Sequence, residues 1–155
     1  MRAFPSVARL GPVAEPYSIL IADDNDHDVS FLLKGFADIQ VPVRPAHVRD
    51  SDSALELLSS DRKFDLVLLD YHFPKDNGEE IIRILHSRGK LPLIVVLSSA
   101  LSPGQHRRIR AAGAQEVLEK PCDLAGFAVL AARLASIVSS SAERASSAAA
   151  PDAHE

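Results

Sequence analysis

The stretch Phe64-Asp65-Leu66-Val67-Leu68-Leu69-Asp70, an apolar run closed by an acid, most narrows what this chain can fold into. A strand with one face in water alternates apolar and polar residues. A strand covered on both faces does not, and such strands belong to parallel sheets layered between helices. The pattern recurs: Tyr17-Ser18-Ile19-Leu20-Ile21-Ala22 runs into Asp23-Asp24-Asn25-Asp26, and Leu93 to Leu97 runs into Ser98-Ser99-Ala100. Helical spacing fills the intervals. Val29, Leu32, Leu33 and Phe36 line one face of a helix with Asp26 as its expected cap, and Ile81, Ile82 and Leu85 mark another that stops near Gly89. Ser53 and Glu56 stand at capping-box spacing before Leu57 and Leu58, and Ser102-Pro103 opens a helix that ends near Gly113. Asp123 caps a last helix with Leu124, Phe127, Leu130, Leu134, Ile137 and Val138 on one face. Val41 to Val48 carries Pro42 and Pro45, which confines it to a sheet edge, and Glu116 to Glu119 makes a short fifth strand. Five strands alternating with five helices predict an α/β fold with right-handed crossovers.

The size and charge of the chain narrow its function. At 155 residues, 46% hydrophobic and 25% charged, it suits one domain from about Tyr17 to Val138. Residues 1–16, with three prolines, read as a flexible leader, and the Ala/Ser-rich stretch 139–155 as a disordered tail. A net charge of -4 and a pI near 5.8 provide no basic field, so DNA is not an expected partner. The single cysteine, Cys122, excludes an internal disulfide and a multi-cysteine zinc site, and reads as a small space-filler. No uninterrupted apolar run is long enough to span a bilayer, and the first residues lack a secretory pattern, so a soluble, cytoplasmic protein without a membrane partner is expected.

Chemistry gathers where the strands end. In an open parallel sheet the carboxyl ends of the strands share one edge, which here collects Asp23, Asp24, Asp70, Ser98 and Lys120. Clustered carboxylates repel one another in a partly desolvated cleft, and a hard dication with oxygen ligands relieves that repulsion. Magnesium suits such a site because it keeps waters and binds phosphate. An aspartate can attack phosphorus, and the transfer then needs positioning and charge neutralisation more than proton transfer. The six histidines form no metal-ligand pair, and His72 is on balance a surface residue although it stands two places after Asp70. Arg107, Arg108 and Arg110 form either a solvated face or a contact patch.

These residues, in this order, resemble the receiver domain of bacterial response regulators over about Tyr17 to Val138. The resemblance implies a flavodoxin-like fold with strand order 2-1-3-4-5. It makes Asp23-Asp24 the metal-binding pair and Asp70, followed by Phe73-Pro74 and Gly78, the phospho-acceptor, with a magnesium ion also held by the backbone carbonyl of His72. Ser98 becomes the switch hydroxyl, with Ser99 beside it at the phosphate, and Lys120-Pro121 the phosphate-binding lysine and its proline, joined by a cis peptide. Asp24-Asn25-Asp26-His27-Asp28-Val29 and Val48-Arg49-Asp50 are similar to small stand-alone regulators paired with phytochrome-type histidine kinases. The implied function is a switch, not an enzyme beyond slow self-phosphorylation and self-dephosphorylation. It takes phosphoryl from a histidine kinase or phosphotransfer protein and signals by protein contacts, and a homodimer through the fourth or fifth helix region is compatible with this. The alternatives are a pseudo-receiver interaction module without phosphotransfer and a phosphatase with an aspartyl intermediate. One departure stands out: Val117 occupies the position, three before the lysine, where the family usually has an aromatic.

Overall fold

The computed structural model describes residues 15–72, 78–89 and 92–149, with side chains to residue 144. The leader up to residue 14, the Phe73-Pro74 loop and the end of the tail from residue 150 lie outside the described residues. In chain order the elements are β1 (Tyr17–Ala22), α1 (Asp26–Asp38), β2 (Val43–Val48), α2 (Ser51–Ser59) and β3 (Leu66–Asp70). They continue with α3 (Gly78–Ser87), β4 (Ile94–Ser98), α4 (Pro103–Ala112), β5 (Glu116–Glu119) and α5 (Leu124–Ala149). All pairings are parallel and the order is β2-β1-β3-β4-β5, with the proline-bearing β2 at an edge.

The sheet divides two cores. Alternate residues of a strand face opposite sides, so Leu66 and Leu68 pack with Leu32, Phe36, Phe127 and Leu134 of α1 and α5. Val67 and Leu69 pack with Ala54, Ile81, Ile82 and Ile109 of α2, α3 and α4. Every residue of β3 and β4 is buried, which is why neither strand alternates in sequence. The seam between α1 and α5 is close: a Cβ on Gly35 would lie 2.7 Å from the carbonyl oxygen of Phe127, and the Phe31 and Phe127 rings meet edge to face at 5.7 Å.

Several local expectations are corrected. Asn25, not Asp26, caps α1, its side-chain oxygen accepting from the amides of His27 (3.0 Å) and Asp28 (3.2 Å), and Asp26 is freed to pair with Arg49. Asp50, rather than a Ser53/Glu56 box, caps α2 by accepting from the Ser53 amide at 2.7 Å, because the helix begins at Ser51. α5 does not stop at Val138 but continues to Ala149, against the expectation of disorder from residue 139. Extending an existing helix avoids the cost of nucleation, so an Ala/Ser stretch that would not nucleate a helix alone can continue this one. Over Leu124–Arg144 this helix is also long and apolar enough to cross a bilayer by length and composition, a property hidden in sequence because its apolar residues are interspersed with polar ones. Its apolar stripe here lies on the sheet. Cys122 is exposed instead of filling space, since it falls in the turn between β5 and α5. The Lys120–Pro121 peptide is trans, as are all peptides among the described residues; trans is the intrinsically favoured isomer by about 0.5–1 kcal/mol, and Lys120 reaches the strand-end carboxylates in this form.

Candidate phospho-acceptor site

The carboxyl edge of the sheet brings the predicted residues together. Asp23 and Asp24 follow β1, Asp70 ends β3, Ser98 ends β4 and Lys120 follows β5. Asp23, Asp70 and Ser98 are buried, while Asp24 is exposed. One carboxylate oxygen from each of Asp23, Asp24 and Asp70 lies within 4.8 Å of the others, an all-oxygen set of the kind that a hard dication takes. Asp70 divides its oxygens: Oδ1 accepts the His72 amide at 3.1 Å and Oδ2 faces the Lys120 ammonium at 3.5 Å. The His72 side chain is exposed and lies edge-on to the Tyr71 ring.

The loop after β1 is held from several sides. The Asn25 amide donates to Asp23 Oδ1 at 2.8 Å, His47 Nε2 lies 2.7 Å from the Asp23 carbonyl, and Arg49 of the turn after β2 pairs with Asp26. Burial pushes the Asp23 carboxyl above its ordinary range, and the hydrogen bonds from Lys120 and the Asn25 amide offset this only in part. A cation at the site would reverse that direction.

Burial alone would lower the Lys120 pKa. The hydrogen bonds to Asp23 (2.7 Å) and Asp28 (2.9 Å), with the fields of Asp23 and Asp70, outweigh it, so the ammonium is held above its usual range. A raised folded-state pKa contributes stability that is complete below the unfolded value of about 10.4 and declines as pH rises through the folded one. The urea midpoint advantage of wild type over Lys120→Met should therefore be constant near neutrality and begin to shrink above about pH 10.4. An advantage undiminished at about pH 12 would show that these ion pairs contribute nothing to folding.

The β4 end of the site is built around a small side chain. Ser98 Oγ donates to the Ala100 carbonyl at 3.2 Å and accepts the Ala100 amide at 3.3 Å, which ties it to its own loop. Ser99 is exposed. A cleft of about 440 Å³ opens beside them, lined by Ser98, Ser99, Leu101, His106 and Val117.

Sequence reasoning missed three contacts. Asp28, in the first turn of α1, reaches back to Lys120. Tyr71, buried directly after Asp70, accepts at its hydroxyl oxygen from Gln105 Nε2 of α4 at 3.4 Å, and Gln105 completes a capping box with Ser102. Buried Glu79 joins Arg83 of its own helix and, at 3.6 Å, Arg108 of α4. The only sequence signal for Asp28 was an acid in the first turn of the helix after β1. The other two depend on the packing of α3 beside α4. Of the arginines on α4, Arg108 and Arg110 are committed to Glu79 and Glu116, which leaves Arg107 as the member exposed without a described ion pair.

The response regulator receiver domain family model matches residues 19–131, and the chain belongs to that family. It is 32% identical over 115 residues to the two-component response regulator ORR3 of Oryza sativa, covering 71% of this chain and 83% of that protein. It is 27% identical over 117 residues to histidine protein kinase 1 of Candida albicans, which covers 68% of this chain but 5% of the kinase. Among solved structures, the phosphorylated cyanobacterial phytochrome response regulator RcpA superposes with a TM-score of 0.67 at 23% identity, over 76% of this chain and 89% of that one. The flavodoxin-like order β2-β1-β3-β4-β5 is that of the family, whose members serve two-component signalling as phospho-acceptor modules.

Proposed function

We propose that Asp70 accepts a phosphoryl group from a histidine kinase or phosphotransfer protein, and that this chain signals by phosphorylation-dependent protein contacts. The observation that carries the reading is the partition of Asp70: Oδ1 is held by the His72 amide, while Oδ2 faces Lys120 within a three-carboxylate cluster. In the step itself a carboxylate oxygen of Asp70 attacks phosphorus, the bond from phosphorus to the donor's histidine nitrogen breaks, and the leaving imidazole keeps that electron pair. The Lys120 ammonium meets the negative charge on the phosphoryl oxygens. Asp23, Asp24, Asp70 and the His72 carbonyl would hold Mg²⁺, which neutralises charge on the transferring group. Likeness to RcpA supports a phytochrome-type kinase as the donor.

A phosphoryl group brings about -1.5 to -2 charges and three strong acceptors, enough to draw the Ser98 hydroxyl and the Ser99 amide region inward and to bias a two-state loop. With Val117 too short and stiff to follow, the signal leaves through the loop from Ser98 to Pro103 and through α4, which is tied to the site by Gln105 and Tyr71. With fluoroberyllate and magnesium, amide exchange should change from Ser98 to Gly113, and Ser98→Ala should blunt that change while Asp70 still takes the ligand. Changes confined to the loop after Asp70 would favour the pseudo-receiver reading.

A further inference from the structure

Lys120 touches three carboxylates, and they are not equivalent. Asp23 and Asp70 belong to the cluster whose oxygens lie within 4.8 Å of one another, together with Asp24. Asp28 does not, yet its Oδ2 lies 2.9 Å from Lys120 Nζ, nearer than the 3.5 Å of Asp70 Oδ2. The Asp28 side chain is about one-fifth exposed and sits in the first turn of α1, where the Asn25 cap fixes its backbone by accepting its amide. Lys120 is anchored on the other side by the β5 register, its amide donating to the Ser98 carbonyl at 2.8 Å.

We infer that Asp28 is a positioning residue for Lys120: it holds the ammonium to one side of the carboxylate cluster so that a dication and a phosphoryl group can share the site with it. The physical conflict is between like charges. Asp23 Oδ2 is 2.7 Å from Lys120, so a dication drawn to Asp23 and Asp70 meets a competing ammonium on the same carboxylates. Asp28 supplies a partner outside the cluster, toward which Lys120 can lean when the cation arrives. Without Asp28 the ammonium rests on Asp23 and Asp70 alone and opposes the cation directly. The inference rests on the reading of this edge as a metal-assisted phospho-acceptor site.

A double-mutant cycle separates this role from simple loss of a negative charge. Magnesium is titrated by calorimetry into wild type, Asp28→Asn, Lys120→Met and the double variant, with Asp38→Asn removing an equal charge from the exposed far end of the same helix. Asp28→Asn should weaken magnesium binding roughly fivefold when Lys120 is present, and by less than about twofold in Lys120→Met, the difference being the coupling between the two side chains. Asp38→Asn should also stay under about twofold, because an exposed charge is screened by solvent. Asp28→Glu should restore most of the affinity. An equal loss in both lysine backgrounds, or no loss in either, overturns the inference. Loading by acetyl phosphate is followed on the same samples. If wild type takes no phosphoryl group while the magnesium cycle shows coupling, the acceptor reading fails and only the effect of Asp28 on cation binding stands. If Asp70 is loaded and the cycle shows no coupling, the role of Asp28 fails alone.

Discussion

Acetyl phosphate with magnesium should add one phosphoryl group to this protein, and Asp70→Asn should take none. The expectation follows from what surrounds each acid. Asp70 is buried at the end of the central strand, with Lys120 at 3.5 Å and the cluster oxygens of Asp23 and Asp24 within 4.8 Å. Asp24 is exposed, and Asp23 is engaged by the Asn25 amide and Lys120. Both oxygens of Asp23 are taken up at hydrogen-bond distance, by the Asn25 amide and by Lys120 at 2.7 Å, whereas Asp70 Oδ2 stands 3.5 Å from the same lysine beside the cluster. Intact-mass spectrometry reads the result directly. Chelation of magnesium should reduce loading to background, because positioning and charge neutralisation supply most of the rate in phosphoryl transfer. Loading of Asp70→Asn at the wild-type rate, or indifference to chelation, would leave a pseudo-receiver module as the better description.

The second large effect concerns the seam that holds the β1 loop in place. Phe127→Ala should cost about 3–5 kcal/mol, since it empties a site 1% exposed between α1, α5 and the sheet, and should lower the melting temperature by roughly 10 °C or more. Gly35→Ala tests the same seam with opposing terms. Helix propensity alone favours alanine by up to about 1 kcal/mol. The new Cβ, however, would stand 2.7 Å from the Phe127 carbonyl oxygen, a backbone atom that moves only if α5 moves, and overpacking of this kind costs about 1–3 kcal/mol. The clash should win and the melting temperature should fall. Gly104→Ala in α4 is the contrast, because its Cβ would meet only Ser102 Oγ at 3.9 Å, and it should leave stability unchanged or raised. A higher melting temperature for Gly35→Ala would mean that α1 and α5 are not packed this closely.

Much of the architecture was legible because it depends on local pattern. Strands buried on both faces must read as unbroken apolar runs, and helices lying on a sheet must show a 3.6-residue stripe, so β1, β3, β4 and the helices between them could be placed from sequence. Once the strands are parallel, their carboxyl ends share an edge, which brings Asp23, Asp24, Asp70, Ser98 and Lys120 together before any coordinate is known. Proline in β2 likewise confined that strand to an edge, where the sheet has it.

The remainder was decided by contacts between segments far apart in the chain. The choice of Asn25 over Asp26 as cap turned on Arg49, twenty-three residues away, which holds Asp26 instead. The last helix runs on to Ala149 because the part before it is already ordered against α1 and the sheet, a condition that composition does not express. The role of Asp28 emerged from the meeting of the first turn of α1 with the residue after β5, and the coupling of Tyr71 and Glu79 to α4 from helices laid side by side. By itself the sequence determined which residues line the edge, since periodicity and strand ends are properties of neighbours along the chain. Tertiary structure decided which carboxylate faces the lysine, because hydrogen bonds and ion pairs depend on distances in space that no local pattern encodes.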